Sequence, residues 1–129
     1  MRVGIDLVRV SRIADSLERF GTRFLRRVFT EGEIAYATAA PSRTAERLAA
    51  RFAAKEAAIK ALGLVDRGID WRDIEVSRMP SGHCELTLRR GAGEAAMLMG
   101  AEELAVSLSH EGDYATAVVV AQVRPKQAP

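Results

Sequence analysis

Residues 3–8 (Val-Gly-Ile-Asp-Leu-Val) alternate, with Val3, Ile5 and Leu7 on one side, which predicts a half-buried strand whose Asp6 points away from that apolar side. Ile13, Leu17, Phe20, Phe24 and Val28 then recur every three or four positions. That spacing predicts a helix from an N-cap at Ser11 to about Val28, with Gly21 placed to bend it or end it early. Thr30-Glu31-Gly32-Glu33 reads as a capping box opening a short helix that stops before Pro41. The longest helix is expected from Ser42 or Thr44 to Leu62, closed by Gly63, with Leu48, Phe52, Ile59 and Leu62 as its buried stripe. At about 100° per residue, Glu56 and Lys60 fall on the rim of that stripe. A rim position holds a polar group rigidly yet leaves it open to a ligand.

Ile74–Arg78 and Cys84–Arg89 alternate as short strands joined through Met-Pro-Ser-Gly. Residues 93–100 read as a short helix, and Leu104–Ser109 with Tyr114–Val123 as a hairpin around His110-Glu-Gly-Asp. There is no repeat, low-complexity tract or linker. The fold class that follows is α+β: a single domain over residues 1–123, with a mostly antiparallel sheet packed against the long helix and a frayed tail over 124–129.

Composition narrows the function. Apolar residues make up 48% of the 129, enough for one core, and no run approaches the roughly 18 apolar residues of a membrane span. The first ten residues, MRVGIDLVRV, contain neither an apolar h-region nor a small-residue cleavage site, so a cytoplasmic protein is expected. The lone Cys84 excludes an internal disulfide framework and a cysteine-rich zinc site. A net charge of +2 and 5% aromatic residues argue against nucleic acid. The distribution of charge is more telling. Six arginines between Arg9 and Arg27 face only Asp15 and Glu18, whereas Lys55 and Lys60, two of just three lysines, flank Glu56.

Each candidate group has an ordinary reading when taken alone. Asp6 would be a solvated strand residue, Glu56 and Lys60 an i,i+4 surface pair, His110 a polar group beside a turn, and the arginines a solvated helix face. Together they suggest magnesium-assisted transfer at a diphosphate. Two carboxylates are too few for a calcium cage but suit Mg²⁺, which takes one or two carboxylates plus substrate phosphates and water. A lysine one turn from Glu56 can neutralise a phosphate or help a leaving group depart. Ser107, Ser109 and His110 can bind further phosphate oxygens. No P-loop or dinucleotide fingerprint is present.

Gly4-Ile5-Asp6, then Arg51-Phe52-Ala53-Ala54-Lys55-Glu56-Ala57-Ala58-Ile59-Lys60-Ala61, then Ser107-Leu108-Ser109-His110 resemble the three ordered motifs of the 4′-phosphopantetheinyl transferases. The chain length, Phe29-Thr30-x-x-Glu33 and the stretch from Trp71 to Val76 are similar to the short, single-domain branch of that family. The resemblance implies that branch's fold and its reaction, which moves the phosphopantetheine arm of coenzyme A onto a serine of an acyl carrier protein and releases adenosine 3′,5′-bisphosphate. By resemblance, Asp6 and Glu56 would hold Mg²⁺ with the diphosphate. Glu56 would also activate the carrier serine, directly or through a metal-bound water. Lys60 would assist the leaving group. His110 and Ser109 would line the coenzyme A pocket, with Arg51, Phe52, Lys55 and Gly63.

The acidic carrier would meet Arg12, Arg19, Arg23, Arg26 and Arg27, with Phe24 as an apolar anchor and Arg43 as a further basic contact. The resemblance also implies a homotrimer with active sites between subunits, Asp6 and His110 coming from one protomer and Glu56 from the next. Two segments depart from the family pattern. Leu64-Val65 follow Gly63 where Thr-Gly is usual, and His83-Cys84 stand where a basic residue and proline are usual. His83 would then give pH-dependent help at the adenosine 3′-phosphate. The alternative reading is a non-catalytic module that holds coenzyme A or docks on a carrier; Mg²⁺-dependent turnover separates the two.

Overall fold

The computed structural model describes residues 1–125, and the predicted tail beyond Pro125 lies outside them. The chain runs β1 (Arg2–Arg9), α1 (Val10–Phe20), α2 (Thr22–Val28), α3 (Glu31–Thr38), α4 (Thr44–Leu62), β2 (Ile74–Arg78), β3 (Cys84–Leu88), α5 (Arg90–Leu98), β4 (Ala101–Glu111) and β5 (Tyr114–Val123). Single turns of 3₁₀ helix, Pro41–Arg43 and Trp71–Asp73, lead into α4 and β2. One sheet has the order β1-β5-β4, antiparallel throughout, and β2 and β3 form a separate antiparallel ribbon. Just past β5, the Arg124 N–H donates to Gly100 O at 2.9 Å and its side chain pairs with Glu102.

Helix α4 is the centre of the fold. Besides Leu48 and Leu62, it buries Ala49, Ala50, Ala53, Ala54, Ala57, Ala58 and Ala61, so its apolar surface wraps well beyond the predicted stripe. Phe52 and Ile59 are only half-buried. Alanine side chains let the sheet lie very close to the helix. Gly63 ends α4 in the left-handed conformation (φ 65°), and the Leu64 N–H reaches back to Ile59 O at 2.9 Å while its side chain enters the core.

Two local expectations are corrected, and the interruption expected at Gly21 is found. The face of β1 that packs on α4 carries Gly4, Asp6 and Val8, whereas Val3, Ile5 and Leu7 are 60–66% exposed on the opposite face. The close approach to α4 admits glycine but no large side chain. The first predicted helix is two helices, because Gly21 (φ 53°) both ends α1 and starts α2. Ser11 does not cap α1 with its own side chain; its N–H and hydroxyl both donate to the Asp113 carboxylate, at 2.9 and 2.6 Å, from the β4–β5 turn. The capping box of α3 forms as predicted, with Thr30 and Glu33 each accepting from the other's backbone N–H.

Candidate active site

Gly4 packs directly on the backbone of α4 at Ala57 and Ala61. Two residues later on the same face, Asp6 therefore meets the C-terminal half of that helix. The Lys60 ammonium donates to Asp6 Oδ1 and to Ile5 O, both at 3.0 Å. Glu56, one turn before Lys60, shares this corner. Burial and then the Asp6 charge push its carboxyl above the ordinary carboxylate value, while Lys60 and Arg12 pull it down. Asp6, Glu56 and Lys60 thus gather within one protomer. This corrects the expectation that Glu56 arrives from a neighbour of the subunit supplying Asp6. No third carboxylate, imidazole or thiol joins Asp6 and Glu56 among the described residues. The pair fits a hard cation that completes its shell with phosphate oxygens and water.

His110 stands apart from these carboxylates. It faces the N-terminal part of α4, with Nδ1 3.5 Å from Glu46, which is also paired with Arg43 at 2.9 Å. Here α3, α4, β4 and the β2–β3 turn enclose a cavity of about 400 Å³. Arg43, Arg51, His83, Ser109 and His110 line it, together with Tyr36, Arg47 and Arg78, which the sequence reading did not single out. Arg47 and Arg51 each place a guanidinium carbon 4.2 Å from the Tyr36 ring centroid, and Arg78 donates to the Tyr36 hydroxyl at 3.1 Å. Burial alone would raise the Tyr36 phenol's pKa, but the Arg78 hydrogen bond and the arginine charges hold it below its ordinary value. The Nε atoms of Arg47 and Arg51 are buried with no hydrogen-bond partner among the described residues. A cluster of arginines lining one cavity is chemistry suited to a phosphate. The i,i+4 relation of Arg47 to Arg51 was available as a signal for the former.

Other predicted residues have different settings. Lys55 is fully buried, 2.8 Å from Glu33, and donates to Trp71 O at 3.1 Å and to Ile74 O. It joins α4 to α3 and to the lead-in of β2, and is closed off from any cavity. Phe52 stacks on Trp71 with ring centroids 5.1 Å apart and does not line the arginine cavity. Gly63 acts through its backbone, as the helix terminator.

The arginine-rich segment divides. Arg23 and Arg27 border a groove with Phe24 and the exposed Phe20, whereas Arg26 borders another cavity with Arg72, Arg89 and Arg90. The Arg12 charge acts on Glu56, drawing its pKa down, and Arg19 lies over the Phe20 ring. Phe24 is half-buried, with its ring edge against Phe29, so the freely presented aromatic is Phe20.

Residues 2–119 match the model of the 4′-phosphopantetheinyl transferase superfamily. A holo-[acyl-carrier-protein] synthase of Gloeobacter violaceus is 48% identical over 121 residues, covering 92% of this chain and 89% of its own length. Another, from Koribacter versatilis, is 46% identical over 118 residues, covering 91% and 94%. Among solved structures, the Chronobacterium ammoniagenes ACPS–CoA complex superposes with a TM-score of 0.85 at 34% identity, covering 96% of this chain and 98% of that one. The Helicobacter pylori holo-[acyl-carrier-protein] synthase in complex with coenzyme A gives 0.81 at 31% identity, covering 93% and 99%.

Proposed function

Because this chain belongs to the 4′-phosphopantetheinyl transferase superfamily, we propose that it transfers the 4′-phosphopantetheine arm of coenzyme A to a serine hydroxyl of an acyl carrier protein, as a cytoplasmic enzyme. The observation that carries the reading is the meeting of Asp6, Glu56 and Lys60 where β1 crosses α4.

In this reading the carrier serine oxygen attacks the phosphorus that bears the pantetheine arm. The bond to the bridging oxygen breaks, and adenosine 3′,5′-bisphosphate leaves with that oxygen. Glu56, whose carboxyl is held above its ordinary value by burial and by the Asp6 charge, accepts the serine proton, directly or through a water. Asp6 and Glu56 would hold Mg²⁺, which when bound supplies positive charge to the reacting diphosphate. Lys60 adds a compact ammonium beside the same group and neutralises charge on the departing phosphate. The arginine cavity takes the adenosine bisphosphate end, with Arg51, Ser109, His110 and His83 on its walls.

The outer sheet face supports a homotrimer. Its rows Val3–Val120–Ala105, Ile5–Val118–Ser107 and Leu7–Thr116–Ser109 form a largely apolar surface that a single protomer leaves open. Burial of that face against a neighbouring subunit would bring one subunit's carboxylates toward another's arginine cavity. The arginines of α1 and α2, with Phe20, suit the acidic carrier.

The deciding experiment is intact-mass spectrometry of an apo carrier incubated with this protein, coenzyme A and Mg²⁺. A gain of roughly 340 Da, one phosphopantetheine unit, is expected, and it is abolished by EDTA and by Glu56→Ala. No gain, with coenzyme A binding intact, would overturn the reading.

A further inference from the structure

Among the described residues, Tyr36 touches three arginines that line the cavity, Arg47, Arg51 and Arg78. Its ring lies against Arg47 and Arg51, its hydroxyl accepts from Arg78, and its backbone carbonyl accepts from Arg47 Nη1 at 2.8 Å. Arg47 and Arg51 project from consecutive turns of α4, Tyr36 comes from α3, and Arg78 stands at the end of β2. Three guanidinium groups brought together from separate elements repel one another. The electron-rich ring face and the phenol oxygen offset that repulsion where no carboxylate bonds to Arg47, Arg51 or Arg78 among the described residues. A carboxylate there would itself occupy the arginine donors. An aromatic ring leaves the three guanidinium groups on the wall of the cavity without an anion bonded to them among the described residues.

We infer that Tyr36 is a positioning residue that holds Arg47, Arg51 and Arg78 as a preformed cradle for the ribose 3′-phosphate, and so sets the preference for coenzyme A over its 3′-dephosphorylated form. This rests on the placement of the adenosine end in the arginine cavity.

The test uses the full-length protein and its Tyr36→Phe and Tyr36→Leu variants. Calorimetry compares adenosine 3′,5′-bisphosphate with adenosine 5′-monophosphate. Steady-state kinetics compare coenzyme A with 3′-dephospho-coenzyme A on one apo carrier. Tyr36→Phe keeps the ring and removes the acceptor for Arg78. It is expected to weaken bisphosphate binding about tenfold, with the monophosphate unchanged. Its KM for coenzyme A rises and kcat stays constant. Tyr36→Leu also removes the ring and is expected to weaken the bisphosphate further. Should that variant fail to fold, Tyr36→Phe carries the test alone. Wild-type protein that treats both nucleotides alike would overturn the cavity assignment, and the inference with it. Wild-type discrimination that survives intact in the variants, or variants that lose both nucleotides equally, would leave the cavity assignment standing and overturn the role of Tyr36.

Discussion

A Cβ placed on Gly4 would lie 2.0 Å from the carbonyl oxygen of Ala57. No side chain can yield there, because the obstacle is helix backbone. Gly4→Ala must push β1 away from α4, at a cost of about 3 kcal/mol or more. The same displacement draws Asp6 away from Glu56 and Lys60. Urea denaturation is expected to show the lost stability, and residual folded protein is expected to have lost transferase activity.

Glu56 ties function to stability with a definite sign. Its native pKa is raised above the ordinary 4.5, so the ionised carboxylate is disfavoured in the folded state. The penalty is absent below the unfolded value and complete above the raised one. In EDTA at neutral pH, Glu56→Gln is therefore expected to raise the denaturation midpoint, and with Mg²⁺ present the same variant is expected to have lost transfer. The gain should stay under about 1 kcal/mol, because the group is partly solvated, and should vanish as the pH falls toward 4.5.

Lys55 belongs to the core. Lys55→Met leaves the Glu33 carboxylate buried without its ammonium, and a loss of about 3 kcal/mol is expected. The double variant with Glu33→Gln should recover part of it. In the protein that remains folded, the KM for coenzyme A should match wild type; a selective rise would return Lys55 to the substrate pocket.

Carrier recognition is expected to depend on salt. Arg23→Glu with Arg27→Glu should raise the KM for the acyl carrier protein about tenfold at low ionic strength, and much less at high salt. The KM for coenzyme A should not move, since neither residue borders the arginine cavity.

The outer sheet face makes its own prediction. Ile5→Asp places a charge among Val118 and Ser107 without touching the inner face of β1. Sedimentation velocity is expected to show a trimer for wild type and a monomer for the variant, with transfer lost in the monomer.

The elements of the fold were legible because their signals are local. The Thr30–Glu33 capping box, the Gly63 terminator and the alternation in β2, β3 and β5 each depend on a few neighbouring residues. The orientation of β1 was not legible, because Val3, Ile5 and Leu7 form an apolar side whichever partner they meet. Only Gly4, fitted against Ala57, decides which face lies on the helix. Asp6, Glu56 and Lys60 were identifiable from the ordered motifs. Tyr36 and Asp113 act across long separations in sequence, and nothing around them marks the partners they find.

Alanine makes α4 a ruler as well as a scaffold. A methyl group has no rotamers with which to absorb an error, so the spacing between β1 and the helix is fixed by backbone dimensions. Sequence change that keeps this spacing therefore has few places to occur. It falls to exposed positions away from the helix–sheet contact, such as the arginines of α1 and α2 and the turn bearing His83.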